Sequence, residues 1–299
     1  MKNKDQILLE SIYENILLEG TMVRLKNISE FSEEEKQNIL GKLSDVERSQ
    51  LGTAKGGKSA KDYMSVDDWI VIRDFHLRTR LKQTPETKTN TDLCAYTPGE
   101  TLKLLQHPII TKWFKMVEGF KIPEGKEKVI FVSCAASKRW GDNTKSEDYQ
   151  CYNMIRKENS KIYWVTISEP LGIVPEDHWN DFPLYDNPGL FTSQGQVPNK
   201  FWLNKMGKQS SFAYPFDQNA FNECIKILGD VIKKFYDFNK QINPNLKFIS
   251  AVETPSEKST HSAMLDYSGI LQKEERYSKA PFRSPREIRI PYWKDISNK

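Results

Sequence analysis

The sequence predicts an α/β fold: a three-layer α/β/α arrangement around a central, mostly parallel sheet, with a helical extension at the N-terminus. Three observations carry this. Short apolar runs at Val129–Val132, Ile162–Ile167 and Leu246–Val252 alternate with helical patterns around Tyr149–Ile155 and from Asn219 to Phe238, the order in which helices cover both faces of a parallel sheet. The 299 residues with 38% apolar content suffice for a packed core that folds alone. Two of the strands run directly into polar stretches, Ser133–Trp140 and Ser168–Pro175, and in open parallel sheets ligands bind beyond the carboxyl ends of the strands.

Taken in order, Leu8, Leu9, Ile12, Tyr13, Ile16 and Leu17 recur at helical spacing and stop at Gly20. A second helix follows Ser32, which has Glu35 three residues later in capping-box form, with Ile39, Leu40 and Leu43 as its apolar stripe. Gly52, Gly56 and Gly57 with Lys55, Lys58 and Lys61 form a basic connector. Gly56-Gly57-Lys58-Ser59 is not read as a phosphate loop, because the charged, helix-like Asp45–Leu51 stands where a buried strand is needed. Asp67–Leu81 mixes apolar residues with Arg73, Arg78 and Arg80, and the polar run from Gln83 to Asp92 reads as an exposed loop. Thr97-Pro98 opens a helix with Leu102, Leu104 and Leu105, His107-Pro108 breaks it, and Trp113, Phe114 and Val117 continue in a further one. The C-terminal stretch from Arg283 to Arg289, closing on Pro291-Tyr292-Trp293, reads as a basic arm packed on the surface or reaching for a partner. The divisions are therefore 1–62, helical extension and linker; 63–275, α/β core; and 276–299, basic tail.

A formal net charge of +4 permits a nucleic-acid partner without requiring one. Cys94, Cys134, Cys151 and Cys224 are widely spaced, lacking both the density of a disulfide scaffold and the pairing of a zinc site. Reduced thiols in the cytoplasm are the natural reading, and no apolar stretch has the length of a membrane span. None of His76, His107, His178 and His261 has ligand spacing to a cysteine or carboxylate cluster, so no metal and no cofactor is expected.

The stretch from His107-Pro108 to Phe191 resembles the core domain of archaeosine synthases, enzymes that modify cyano-deazaguanine in archaeal tRNA. In that family a His-Pro and Trp helix precedes an apolar strand ending in Cys-Ser-Ala-Arg-Lys-Pro-Tyr, matched here by Ser133–Trp140. Ser-Pro-Leu-Gly-Val-Val-Pro, a Tyr-Pro pair and Tyr-Asp follow, matched by Ser168–Pro175, Phe182-Pro183 and Tyr185-Asp186. The resemblance implies a uracil-DNA-glycosylase-like fold and addition of an amine, lysine in the family, to the nitrile of the modified base. The sequence departs from the family after Lys138, where Arg139–Ser146 offers no counterpart to a family histidine, and it carries no recognisable tRNA-binding domain after the core.

The residue types fit that chemistry. A thiolate at Cys134 could attack a nitrile to give a thioimide, with Lys138 favouring the thiolate or anchoring a phosphate; the alternative for Cys134 is a small buried residue at a strand end. Glu169 could position the amine, Asp186 could orient an amine or a base edge, and His261, following a strand and the polar run from Glu253, could enter as acid or base. Ser133, Ser137, Trp140, Ser168, Leu171, Gly172 and Tyr185 are the expected substrate-binding positions, Gly172 because glycine admits close backbone approach and Tyr185 as a stacking ring or as plain packing. His178 reads as an exposed histidine. Lys200–Lys208 and Phe282–Trp293 interleave basic and aromatic residues in a way that could track a phosphate backbone.

The expectation is thus a base-modifying enzyme acting on a deazaguanine in DNA or tRNA, taking an amine or amino-acid co-substrate, with room for a partner enzyme that completes the modification and with no membrane association. The alternatives are a glycosylase-like or nucleoside-processing enzyme, and a non-catalytic nucleic-acid-binding protein of the same fold.

Overall fold

The computed structural model describes residues 24–52, 63–82, 90–135, 140–142, 144, 146–181, 185, 187–190, 214–253, 259–278 and 286–299. The expected helix over Leu8–Leu17, the basic connector past Gly52, the polar run from Gln83 to 89 and the Lys200–Lys208 stretch lie outside the described residues. At the centre is a sheet of five strands, β1 (Lys128–Ser133), β2 (Ile162–Ser168), β3 (Gly172–Pro175), β4 (Lys247–Glu253) and β5 (Arg276–Ser278), in the order β3-β2-β1-β4-β5. β1 pairs in parallel with β2 and β4, β4 with β5 likewise, and only β3 is antiparallel to its neighbour β2.

Both faces of the sheet are covered, and alternation along the strands says by what. Ile130 of β1 is in register with Trp164 of β2, and Trp164 stacks on Tyr152 of α6 (Glu147–Glu158) and meets Trp293 of α9 (Arg286–Asn298) edge to face. The neighbouring residue Phe131 points the other way, onto Phe235 of the long helix α7 (Gln218–Ile242) and Phe248 of β4. Cys224, Leu228, Val231, Ile232, Phe235 and Asn239 form the buried stripe of α7 at helical spacing. β1 and β2 are buried on both faces, as their unbroken apolar runs require.

The segment before the sheet is stitched to the core by polar groups. Ser32 caps α1 (Glu33–Gly41) in the expected capping box, and Ser44 caps α2 (Asp45–Gln50) in the same way with Glu47. Glu47 is itself buried. Its carboxylate accepts from the Ser44 and Gly99 amides and the Thr97 hydroxyl, so one anion serves α2 and the start of α4 (Pro98–Leu105) together. Burial pushes this carboxyl up against the lowering pull of those donors. Gln50 exchanges two hydrogen bonds with the Phe216 backbone, and Ser44 donates to Asp217, the N-cap of α7. On α3 (Val66–Lys82), Arg73 reaches Glu100 of α4 in a two-point ion pair, 3.1 and 3.4 Å, with both side chains buried and the Tyr96 amide completing the carboxylate's partners. The described part of the N-terminal segment therefore packs as a continuation of the core.

Two stretches differ from the sequence reading. Ser168–Pro175, read as a loop, turns within four residues, with the Leu171 amide donating to the Ser168 carbonyl at 3.0 Å and a cis Glu169–Pro170 bond, then returns as the edge strand β3. Pro170 and Gly172 marked the turn but hid the short strand beyond it. The C-terminal stretch, read as an arm, is from Arg286 onward the helix α9 despite Pro291 within it. Arg289, Trp293, Ile296 and Ser297 recur at helical spacing on its buried side, and Arg289 pairs with Glu147 and Asp148 at the acidic start of α6. Among the described residues no helix is long and apolar enough to cross a membrane.

Two substitutions test this architecture. Arg73→Met leaves the Glu100 carboxylate buried without its counter-charge and is expected to lower the unfolding free energy by about 3–5 kcal/mol in urea titrations. Gly172→Ala places a side chain where φ is +71° and the new Cβ lies 3.1 Å from Val231; the expected loss is about 1–2 kcal/mol.

Candidate functional site

From β1 the chain passes through α6 to β2 and β3 on one side, and α7 then carries it back across the sheet to β4 and β5 on the other. The strand order reverses between β1 and β4, the place in open parallel sheets where the connections leaving adjacent strands diverge and a crevice is expected. Three ionisable residues meet there. Cys134 follows the last residue of β1, Glu169 follows the last residue of β2, and His261 is the second residue of α8 (Thr260–Ser268), the helix after β4. Their Sγ, carboxylate and imidazole atoms lie within 4.8 Å of one another, and His261 Nε2 stands 3.5 Å from Glu169 Oε2.

Glu169 is 1% exposed and His261 5%, whereas Cys134 is only partly buried and is the least enclosed residue of the group. Burial alone would pull the imidazolium's pKa down; the Glu169 carboxylate and the Cys134 sulfur, through charge and hydrogen bonding, outweigh it and raise His261 to about 10. An imidazolium beside a thiol favours the thiolate, the reactive form of cysteine.

Neutral groups brace two of the corners. The Cys134 amide donates to Ile167 O at 3.0 Å, extending the β1–β2 ladder one residue past β1. Tyr149 of α6 donates to the Ser133 carbonyl at 3.1 Å and is 2.6 Å from the Thr166 hydroxyl, with burial pushing its phenol far up, so it stays protonated as a donor. Asn153 donates to the Trp140 and Gly141 carbonyls, fixing the far end of the loop that leaves β1. On the Glu169 side, Trp113 of α5 (Pro108–Glu118) donates its indole N–H to the carbonyls of Leu171 and Ile173, 3.1 Å each, and so holds the β2–β3 turn.

Of the expected catalytic residues, Cys134, Glu169 and His261 are thus brought together, while Lys138 and Asp186 lie outside the described residues. Among the expected binding positions, Ser168 Oγ and Tyr185 OH are 2.7 Å apart in the interior. Tyr185 and Leu171 belong to the core cluster, and Trp140 is fully buried with its ring stacked on Tyr149, 5.5 Å between centroids. These three support the crevice from behind. Gly172 sits against Val231 of α7. Ser133 is buried, and its hydroxyl has no hydrogen-bond partner among the described residues. Ser137 lies outside them. His178 is part-exposed, hydrogen-bonded to Asp181 and packed against Trp113 and Phe120. Tyr149, Asn153 and Trp113 were not singled out for the site; only the helical position of Trp113 just after His107-Pro108 hinted at it.

The thiol, imidazole and carboxylate are also the donor types of a three-ligand metal site. No spacing in the chain announces one, because two donors follow strands β1 and β2 and the third stands in the first turn of α8. Comparison with family models, with curated proteins and with solved structures finds no match to this chain.

The raised His261 value fixes the sign of a pH effect. Its ion pair stabilises the fold in full below the unfolded-state value, about 6.5, and that contribution is lost as pH rises through about 10. In the presence of a chelator, the stability difference between the native chain and His261→Gln is expected to narrow steadily across that window in denaturation measurements. A gap that is constant or widens with pH would contradict the imidazolium.

Proposed function

We infer that this crevice is the active site of a base-modifying enzyme of the archaeosine-synthase type, which adds an amine to the nitrile of a cyano-deazaguanine in DNA or tRNA. The observation that carries the reading is the Cys134–Glu169–His261 group, two of its members buried, assembled at the switch point of the sheet. A nitrile carbon needs a soft nucleophile on carbon and a proton for nitrogen, and these residues supply both.

The Cys134 thiolate attacks the nitrile carbon, forming a C–S bond as one C–N π bond breaks, and the nitrogen takes the His261 proton to give a thioimide. An amine then adds to the same carbon. Its surplus proton returns to His261, the C–S bond breaks, and the thiolate leaves, so the product is an amidine and the enzyme is regenerated without oxidant or metal. Glu169 holds the imidazolium facing the reacting nitrogen and offers a carboxylate to the incoming amine. A base within a duplex would have to be flipped out to reach the thiol, at a cost of a few kcal/mol.

Incubation with cyano-deazaguanine-containing DNA or tRNA and lysine or another amine, followed by nucleoside mass analysis, is expected to reveal the amidine. Cys134→Ser should lower its formation by at least about 1000-fold, given that nucleophile, acid and orienting group act as one unit. With a slow amine, the native chain should accumulate a covalent adduct at Cys134. Release of the free base instead of an amidine would replace this reading by a glycosylase, and binding without product would leave a non-catalytic nucleic-acid-binding protein.

A further inference from the structure

We propose that Cys134, Glu169 and His261 form a binding site for a single zinc ion, with three protein ligands and a fourth position left to water or another small ligand. The site is the crevice described above, but the inference does not depend on the nitrile reaction.

Four observations converge on it. The donor set is thiol, imidazole and carboxylate, and a thiolate selects zinc over the hard cations magnesium and calcium. The spacing fits: ligand atoms on a tetrahedral zinc with bonds of about 2.0–2.3 Å lie about 3.3–3.8 Å apart, and His261 Nε2 is 3.5 Å from Glu169 Oε2, with Cys134 Sγ inside the same 4.8 Å group. The donors stand on rigid supports, at the ends of adjacent strands and in the first turn of α8, with Tyr149 and Trp113 fixing the backbone on either side. Finally, a carboxylate that is 1% exposed must be paired or bound to a metal, and a divalent ion would take over the neutralisation that the imidazolium otherwise provides.

Binding displaces the imidazolium proton, together with that of any Cys134 not already ionised, to solvent and forms Zn–S, Zn–N and Zn–O bonds, with water or another small ligand in the fourth position. The sulfur's electron pair is then committed to the metal. The zinc-bound form and the nucleophilic form of Cys134 therefore exclude each other, and zinc is expected to act as a reversible block on thiol chemistry in the crevice.

The full chain, stripped with a chelator and then titrated with zinc against a chromophoric competitor, should take up one ion. Cobalt(II) in its place should give a thiolate-to-metal charge-transfer band and the visible spectrum of a tetrahedral site. Cys134→Ser and His261→Gln should each weaken zinc binding by at least about 100-fold, more than loss of an outer-shell partner costs, while Cys94→Ala leaves it unchanged. If either variant fails to fold, judged by circular dichroism, the cobalt spectrum of the native chain decides alone. No saturable uptake, a cobalt spectrum without a thiolate band, or binding retained in both variants overturns the site. Alkylation by iodoacetamide, followed by peptide mass analysis, separates the two roles of the residue. Cys134 should react in the metal-free chain and slow at least about tenfold with one equivalent of zinc. Reaction without protection defeats the zinc site and leaves the nucleophile standing, whereas zinc binding with no amidine under any condition defeats the proposed reaction and leaves the metal site.

Discussion

Everything in this molecule is organised around the double pairing of β1. The strand hydrogen-bonds in parallel to β2 along one edge and to β4 along the other, is buried on both faces, and delivers Cys134 at its end. Parallel neighbours point their carboxyl ends the same way, so pairing β1 on both sides brings three chain segments out at one end of the sheet. Because α6 leads to one side and α7 returns the chain to the other, the segments leaving β1 and β4 separate and leave a gap. The register that aligns Phe131 with Val165 thus also fixes the relative heights of the thiol and the carboxylate, while α8 supplies the imidazole.

Bringing ionisable groups into that gap is costly unless each has a counter-charge and a rigid support. The division of labour is visible in the side chains. Charge balance is kept among the three residues themselves, with Glu169 and Cys134 offsetting the burial of His261. Position is set by neutral donors from the surrounding helices: Tyr149 and Asn153 of α6 on the loop after β1, and Trp113 of α5 on the turn after β2. A neutral donor can hold a backbone carbonyl in place without adding a charge to a low-dielectric site. A second ionic arrangement, built on Arg73, Glu100 and Glu47, joins the N-terminal helices to the core.

Strands β1, β2 and β4, the long helix α7 and the cap residues Ser32 and Thr97 are legible because their signals are local: apolar runs, helical spacing, a hydroxyl three residues before a carboxylate; β5, three residues long, lies within the stretch read as a basic tail. The same locality explains what was hidden. Pro291 masked the helical spacing of Trp293 and Ile296, which only the facing surface of Tyr152 and Trp164 makes decisive. The Pro170-Leu171-Gly172 turn obscured the four residues of β3, whose pairing with β2 is a tertiary fact. In the site, Cys134, Glu169 and His261 could each be recognised as a polar residue at a strand end, but no spacing in the chain encodes their convergence, which follows from strand order. Trp140 reads from sequence as a binding position and Tyr185 as a stacking ring or plain packing; both are buried, with Trp140 stacked on Tyr149 and Tyr185 hydrogen-bonded to Ser168, neighbours that other segments contribute.

The antiparallel β3 makes the support of the three residues unequal. Cys134 and Glu169 each follow a strand paired on both sides, β1 and β2, whereas His261 stands in the first turn of α8. Glu169 also opens the turn into the edge strand β3, which Trp113 and the contact of Gly172 with α7 hold from outside the sheet. Substitutions that reshape this turn move the carboxylate without passing through the β1–β4 register, and through it they change the charge that His261 faces. The edge of the sheet, and not its centre, is therefore where a change in sequence would retune the charge of the group.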